Sequence, residues 1–474
     1  MKELVQDLLL VWFVTSPIAS YFVRLPLDRS IVTYNRVVFA SIAAALIWNR
    51  IRPQSRFAAQ PSGRTPSSIA PITATRFEIA WLMLSIPVIL SVALKSREVG
   101  AAAKSAVDAF LLPLLAFHFA RTYFDSTRRG RALFLSAIFL SIFLFATGAY
   151  EIATGIDVFP YKGSELLRDA EIRVNGPFSA DSSFAVISLL LALFLRSARR
   201  VFRIKMDSAA RLLYFIGLAC AVVACLLPLF RSVAIALGAA WILIEFTIAY
   251  IKNLKPDVPA SSPTALPAGT DYPSRKPGRR VILTFWRTAA AATVIVAILI
   301  GVGLLANPAG IGKRLFNAKN VYSRLVTWEV GMRIASIQPL FGIGLSNYDY
   351  YFRDQYDEEA ASLETELSTR VARGPHSNPI WILSELGIAG LILYLAANSF
   401  LLLWGWRALR RAREPHAQMA AACFLALLLA YWIPGLALAS GEYSDLNLYS
   451  FFLLGLLAGI FGQGANGFSR SIPQ

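Results

Sequence analysis

The sequence is poor in charged residues and in the residue types that build disulfide and metal sites. Only 16% of its 474 residues are charged, and it contains three cysteines and three histidines. A soluble chain of this length would carry roughly a quarter charged residues. Cys220, Cys225 and Cys423 all lie in apolar stretches, which excludes a disulfide scaffold and a cysteine-based metal site. These shortages exclude an ordinary soluble protein.

Long apolar runs are abundant instead. Hydrophobic residues make up 56% of the chain, and the mean hydropathy is +0.54. A bilayer core is crossed by roughly twenty apolar residues in a helix. We therefore predict an all-α polytopic membrane protein with about twelve spans: 4–23, 31–48, 77–96, 100–120, 132–152, 182–198, 210–229, 232–251, 281–304, 379–406, 418–437 and 446–463. The first span lacks a small-residue cleavage site, so we expect a retained helix and not a signal peptide.

Basic residues outnumber acidic ones by 46 to 29, which gives a net charge of +17. Arginine and lysine concentrate in alternate connections, which are 49–76, 121–131, 199–211, 252–280 and 407–417. With twelve spans, all of these fall on one side of the membrane, and the positive-inside rule makes that side cytoplasmic. We expect both termini in the cytoplasm. Nucleic-acid binding is not predicted, because the basic residues are not interleaved with aromatic ones.

The same pattern divides the chain into segments. Residues 1–251 hold the first eight spans and an outer loop over 153–181. The proline-rich segment 252–280 is predicted to be a flexible cytoplasmic linker, and 281–304 forms the ninth span. A large loop on the outer side follows over 305–378, and 379–474 hold the last three spans. Loops of that length are where function concentrates.

The large outer loop is rich in arginine and lysine, although the topology rule does not require positive charge there. An anionic partner is one interpretation, and simple balance of the local acidic residues is the other. Within the loop, residues 320–337 have helical spacing and place Leu325, Trp328 and Met332 on one face, with Arg324 one turn before Trp328. We predict an amphipathic helix at the membrane surface, ended by Pro339.

The end of this loop reads Arg373-Gly-Pro-His376-Ser-Asn378-Pro379 before an apolar run. Asn378 is predicted to cap the next span and Pro379 to begin it. Free N–H groups, the helix dipole and a nearby guanidinium together favour phosphate binding. His376 and Arg373 are therefore candidate site residues, although an isolated histidine is often only structural.

Arginine recurs at the outer boundary in four separate parts of the chain: Arg173, Arg231, Arg324 and Arg373. A guanidinium is always charged and binds pairs of oxygen atoms, which suits a diphosphate. The convergence of four arginines carries more weight than any one of them.

Polar residues within the spans give weaker signals. Lys104 and Asp108 lie one turn apart and are expected to pair, while Arg36, Glu245 and Glu385 lie near span ends, where they can reach water. Glu385 follows His376 on the same helix and is a candidate supporting residue. No arrangement of carboxylates or histidines predicts a bound metal.

Three short motifs resemble the O-antigen ligase and polymerase superfamily. The first is His376-Ser-Asn-Pro-Ile-Trp-Ile-Leu-Ser-Glu385-Leu-Gly387-Ile-Ala-Gly390. The stretch Arg324…Trp328…Pro339…Gly342-x-Gly344 is similar to the family's block earlier in the same loop. RVNGPF, from Arg173 to Phe178, resembles its Arg-x-x-Gly-x-Phe element. The family often has a Ser-Arg or similar pair where this chain reads Phe230-Arg231-Ser232, so the role of Arg231 is open. The first 150 residues match in topology alone.

The resemblance implies a membrane-embedded, GT-C-like glycosyltransferase that uses an undecaprenyl-diphosphate-linked glycan at the periplasmic face and needs no metal or other cofactor. Arg324 and His376 would be catalytic, Arg173, Arg231 and Arg373 would bind the diphosphate, and Trp328 and Glu385 would support them. The acceptor would be a lipid A-core sugar for a ligase or a further glycan repeat for a polymerase. A lipid-linked oligosaccharide flippase and a membrane scaffold without chemistry are the alternatives.

Overall fold

The computed structural model describes residues 2–22, 33–51, 75–160, 174–253, 319–367, 374–412, 414–438 and 440–466. Every regular element in these ranges is helical. The α-helices are α1 (Lys2–Phe22), α2 (Tyr34–Ile51), α3 (Arg76–Leu94), α4 (Val99–Ala106), α5 (Leu112–Tyr123), α6 (Ser126–Thr154), α7 (Asp181–Val201), α8 (Ser208–Leu226), α9 (Arg231–Asn253), α10 (Lys319–Ile337), α11 (Tyr348–Leu367), α12 (Asn378–Arg411), α13 (Pro415–Gly435) and α14 (Ser444–Asn466). A π-turn (Val107–Leu111) joins α4 to α5, and a 3-10 turn (Ser440–Glu442) precedes α14.

Nine helical segments of this described part are long and apolar enough to cross a membrane. They begin at Lys2, Arg76, Val99, Arg128, Ser208, Arg231, Asn378, Pro415 and Ser444. The fold is therefore an all-α, polytopic membrane protein, as predicted. Helices α2 and α7 coincide with two further predicted spans. The predicted linker 252–280 falls almost entirely, and the ninth span 281–304 wholly, outside the described residues, so the count of twelve stays a prediction.

Helix α7 forms the centre of the bundle. Its side chains from Ser182 to Leu195 are all buried, although an isolated span would expose most of them to lipid. Helices α8, α9 and α13 surround it. Helix α14 is also almost wholly buried, and its Gly455 and Gly459 face the backbone of α5 so closely that a Cβ atom there would overlap carbonyl groups of Phe117 and Arg121. Small residues at such contacts let membrane helices approach closely.

Ion pairs inside the bundle differ from the sequence prediction. Asp108 accepts two hydrogen bonds from the guanidinium of Arg36, at 2.9 Å and 2.6 Å, and both side chains are nearly buried. Lys104 is exposed, so the expected Lys104–Asp108 pair is wrong. Arg36 does not reach outward to water, because its charge is matched inside the bundle. Glu245 likewise pairs with Arg196 and is buried. Opposite charges are paired this way because an isolated charge in the membrane is costly.

Helix α12 is broken at Gly387, and the break positions the candidate site. Gly387 has φ 70° and ψ −171°, a conformation open in practice only to glycine. The connection between α10 and α11 lies against this break. The Ile388 N–H donates to the Pro339 carbonyl of this connection at 2.8 Å, and the Ala389 N–H donates to the Leu340 carbonyl at 3.1 Å.

The loop between α10 and α11 also donates hydrogen bonds to α12 at this break. The N–H groups of Ile343 and Gly344 donate to the carbonyls of Ser384 and Glu385, at 2.9 Å and 3.0 Å. The backbone groups that the break would leave without partners are thereby satisfied by the loop, as the membrane requires. Four backbone hydrogen bonds thus join the loop to the broken helix.

The turn between α3 and α4 holds the other side of this loop. The Lys95 ammonium donates to the Gln338 side chain and to the Gly342 carbonyl, both at 2.8 Å. The Ser96 hydroxyl donates to the Leu345 carbonyl at 3.0 Å, and the Arg97 N–H donates to the Asn347 side chain at 3.2 Å. A region that resembles the family only in topology thus supports the elements that carry its motifs.

Candidate functional site

Helix α10 confirms the helix predicted over 320–337 and carries Arg324 and Trp328. Its inner face packs on α12, where the Ser384 hydroxyl donates to the Gly331 carbonyl at 3.2 Å. Leu325 and Met332 on the opposite face are exposed, whereas Trp328, predicted to share that face, is half-buried. Contact of this helix with the membrane surface stays a prediction. The placement of α10 fixes the position of Arg324 against the bundle.

Arg324 and Arg231 come together although 93 positions separate them in the chain. Arg231 begins α9, and Asp181 begins α7 at the same end of the bundle. Burial lowers the pKa of Arg324, and the positive charge of Arg231 lowers the same pKa further, while Asp181 opposes the shift. Two neighbouring guanidiniums favour a bound anion, whose negative charge offsets the repulsion that Arg324 experiences. We call Arg324, Arg231 and Asp181 the arginine cluster.

His376 stands immediately before α12, in the left-handed region of backbone conformation with φ 44°. Residues other than glycine rarely adopt this conformation, and such strain is often found at functional sites. The indole N–H of Trp328 donates to the His376 carbonyl at 3.5 Å. Helix α10 therefore contacts the segment that carries the histidine, and Arg324 lies one turn before Trp328 on that helix.

The start of α12 differs by one residue from the prediction. Ser377, and not Asn378, occupies the N-cap position, with Pro379 in the first turn. The Asn378 side chain instead accepts a hydrogen bond from the Gly441 N–H at 2.8 Å. The first turn of α12 still follows His376 closely, so the helix N-terminus lies beside the histidine as expected, and anion binding there stays a prediction.

Glu385 is buried and holds the loop in place. Its carboxylate accepts from the Tyr348 N–H at 3.2 Å and from the Trp381 indole at 2.8 Å. The expectation that Glu385 could reach water is therefore wrong. Its contacts suit a supporting residue, since they fix the start of α11 against α12.

A second group of charged residues lies beside the start of α12. Glu442 in the 3-10 turn is exposed, yet burial by the surrounding protein, with the negative charges of Glu385 and Asp349, raises its pKa to about 8. Burial raises the pKa of Tyr348 as well, and the negative charges of Glu442 and Glu385 add to the shift. Gly441 links this turn to Asn378, two residues after His376.

Arg173 and Arg373 lie outside the described residues, so their roles stay predictions. The segment directly after Arg173 is described. Glu151, at the end of α6, accepts hydrogen bonds from the N–H groups of Asn175 at 3.0 Å and Gly176 at 2.9 Å. Gly176 has φ 51° and faces Phe184, so the turn accepts no larger residue there. Glu151 thereby holds the turn that follows Arg173.

The sequence analysis missed Glu151, Lys95 and Glu442. Each is a charged residue at the end of an apolar segment, which is the signal that could have found them. Charged side chains at such positions commonly extend along the apolar surface to reach water. The sequence alone therefore did not distinguish this behaviour from a role in holding the site. No group of three or more His, Cys, Asp or Glu side chains suited to a metal ion occurs in the described ranges.

Residues 272–395 match the family model of the O-antigen ligases. The resemblance to the O-antigen ligase and polymerase superfamily is confirmed. None of the curated proteins matches the chain. The O-antigen ligase match includes Arg324, Trp328, His376 and Glu385, as well as the two glycines that meet at the break in α12, Gly342 and Gly387. The family consists of glycosyltransferase-like enzymes whose substrates are a lipid-linked glycan and an acceptor.

Proposed function

We propose that this protein is an O-antigen ligase-like glycosyltransferase of the bacterial inner membrane. It would move a glycan from undecaprenyl diphosphate to an acceptor hydroxyl at the periplasmic face. The observation that carries the proposal is the arginine cluster, which joins Arg324 from the matched family segment to Arg231 from the bundle. Such a pair suits a diphosphate, whose charges need more than one cation.

The reaction forms one glycosidic bond and breaks the bond between the donor sugar and the diphosphate. The acceptor oxygen attacks the anomeric carbon of the donor sugar, and the bond from that carbon to the diphosphate breaks. The bonding electrons leave with the diphosphate oxygen, and the acceptor hydroxyl loses its proton. Negative charge therefore develops on the leaving group, where Arg324, Arg231 and the N–H groups at the start of α12 would stabilise it. Arg173 and Arg373 are proposed to complete this site.

His376 has two candidate roles. As a base it would take the proton from the acceptor hydroxyl, and as a ligand it would donate a hydrogen bond to the diphosphate. Trp328 would keep His376 in place through its hydrogen bond to the backbone. The pH dependence of transfer separates the roles, because a base requires the neutral imidazole, whereas a diphosphate ligand also works when protonated.

The acceptor distinguishes a ligase from a polymerase. We propose that it lies beside Glu442 and Asp349, whose carboxyl groups can hydrogen-bond sugar hydroxyls. A lipid A-core sugar and a further glycan repeat both present such hydroxyls, so the polymerase remains the alternative within the same superfamily. Incubating the protein with donor and each acceptor in turn identifies the reaction by the product.

The test of the proposal is glycan transfer by purified protein in liposomes. Arg324→Ala and His376→Ala should each lower the rate about a hundredfold, in the range of lost transition-state contacts. Arg333→Ala is the matched control, because Arg333 lies on the same helix but is exposed and paired with Glu329. Full transfer by both site variants would refute the assignment. Movement of donor across the vesicle membrane without bond formation would instead identify a flippase.

A further inference from the structure

A cavity lies at the end of the bundle opposite the arginine cluster. It opens where α7 and α9 end and α13 begins, and its volume is about 390 Å³. Three basic or potentially basic side chains line it, Arg200, Arg203 and His416, together with the apolar side chains of Ile248, Ile251 and Met419. Its lining is therefore charged on one part and apolar on the other.

Arg203 occupies a backbone position that favours glycine. Its φ is 53°, in the left-handed region. The chain around it closes helix α7 with hydrogen bonds from the Ile204 N–H to the Arg199 carbonyl at 3.0 Å and from the Arg203 N–H to the Arg200 carbonyl at 3.4 Å. Glycine is the usual residue at this point of such a helix end, because a side chain costs free energy there. An arginine at this position indicates a use for its side chain.

The Arg203 guanidinium contacts the imidazole of His416, which also lines the cavity. The two nitrogen atoms, Arg203 Nη2 and His416 Nδ1, are 2.6 Å apart. Because the guanidinium can only donate, Nδ1 accepts, and the proton of a neutral imidazole is left on Nε2 as a further donor. Among the described residues, Arg203 forms an ion pair with Glu414 at 3.6 Å, and this pair is weak because both side chains are largely exposed.

The apolar part of the lining comes from α9 and α13. Ile251, near the end of α9, and Pro415, the first residue of α13, provide the accessible apolar surface, and the buried side chains of Ile248 and Met419 pack behind it. A free phosphate would gain nothing from these side chains. A molecule with a phosphate at one end and a hydrocarbon chain at the other would use both parts.

We propose that this cavity binds the headgroup of an anionic phospholipid from the leaflet opposite the arginine cluster. The phosphate would contact Arg200, Arg203 and His416, and the first part of an acyl chain would lie along Ile251 and Pro415. Basic sites between membrane helices bind anionic lipids for this reason. The site is separate from the transferase site and does not depend on its function.

The test measures lipid binding to the full-length protein in detergent by native mass spectrometry. Phosphatidylglycerol should bind more tightly than phosphatidylcholine. The double variant Arg200→Gln/Arg203→Gln should weaken phosphatidylglycerol binding about tenfold or more, because each arginine near a lipid phosphate contributes about 1 kcal/mol. The matched control is Arg199→Gln/Arg211→Gln, which removes the same charge from exposed positions at the same end. Equal losses in both double variants would overturn the proposal.

Two further measurements distinguish a lipid site from a free-phosphate site and from a purely structural role of Arg203. Inorganic phosphate at the same concentration should not displace phosphatidylglycerol, and displacement would identify a free-phosphate site instead. Arg203→Gly removes the side chain while favouring the backbone conformation. It should leave the thermal stability in lipid-free detergent unchanged or higher and still lose the lipid. A lower stability would show that Arg203 only links α7 to His416, against the proposal.

Discussion

Single charged residues at the ends of helices hold the site together. Lys95 reaches two oxygen acceptors of the loop between α10 and α11, and Glu151 holds the turn after Arg173. Burial lowers the pKa of Lys95, because the ammonium is partly removed from water. The hydrogen bonds of both residues go to loops that carry or precede the candidate site residues, so their contribution is to position those loops.

Lys95→Met should destabilise the protein. It removes two hydrogen bonds from a charged donor, for which the expected cost is about 1.5–3 kcal/mol. Lys104→Met removes the same charge from an exposed position nearby and should change the stability by less than about 0.5 kcal/mol. Thermal unfolding of both variants in detergent measures the difference, and equal melting temperatures would contradict the role of Lys95.

Glu442 should make the stability depend on pH. Its pKa is about 8 in the folded protein, against an ordinary value of 4.5. Between these values the folded state keeps a proton that the unfolded state releases, so the free energy of unfolding falls as the pH rises, and the full loss is reached above pH 8. Glu442→Gln mimics the protonated form and removes this loss.

Melting temperatures between pH 5 and pH 9 test this expectation. The wild type should lose stability across the range relative to Glu442→Gln, by on the order of 1 kcal/mol because water screens the accessible carboxyl. The control is Glu98→Gln, because Glu98 is an exposed carboxyl at the same end of the bundle as the site. Asp207 would not serve as a control, because its side chain caps α8. Parallel curves for wild type and Glu442→Gln would refute the shifted pKa.

At the scale of elements, the break in α12 and the loop against it form the structural centre of the family motifs. Gly342 and Gly387 face each other, and a Cβ on either would overlap backbone atoms of the other segment. The glycine positions of the motif thus serve close backbone approach, whereas His376 and Arg324 lie at the ends of the elements that the glycines bring together.

Gly387→Ala should prevent normal folding. The new Cβ would lie 2.5 Å from the Gly342 nitrogen, and the residue would be held in a conformation closed to alanine, so we expect a loss of more than about 3 kcal/mol. Gly238→Ala in α9 is the control, because a Cβ at this position would have no atom within 4 Å. It should be neutral or stabilising by about 0.5–1 kcal/mol. Yield of monodisperse protein and melting temperature measure both effects.

At the scale of the whole molecule, the prediction from hydropathy succeeded where a span is a continuous apolar helix. Helices α1, α3, α6, α8 and α13 lie within a few residues of the predicted spans because their composition alone determines them. The ion pair between Arg36 and Asp108 could not be predicted in this way. Helical spacing reveals partners one turn apart, such as Lys104, but not partners on another helix.

The residues of the candidate site also fall into those that a local sequence pattern predicts and those that depend on the packing of distant helices. Arg324, Trp328 and His376 were found from short motifs, and the structure brings Trp328 and His376 into contact. The meeting of Arg231 with Arg324 follows from how α9 and α10 pack, which no local pattern contains. Glu442 belongs to a short turn without periodicity, so its proximity to Asn378 becomes evident only from the fold.

The predicted orientation gives a labelling pattern for the whole molecule. After replacement of the three cysteines by serine, Glu98→Cys should react with a membrane-impermeant maleimide added to intact spheroplasts. Lys205→Cys should react only after permeabilisation, because it lies at the opposite end of the bundle. Both positions are exposed, so access to the reagent depends on the side of the membrane. The reverse pattern would invert the topology.

The break in α12 has a consequence for biogenesis. The turn after α3 and the loop after α10 both precede α12 in the chain, so every group that completes the break has been synthesised before the ribosome reaches Gly387. A nascent α12 can therefore dock as it leaves the translocon. The N–H and C=O groups at its break then find their hydrogen-bond partners without first being exposed to lipid. The elements that supply partners for the backbone of α12 thus precede it in the order of synthesis.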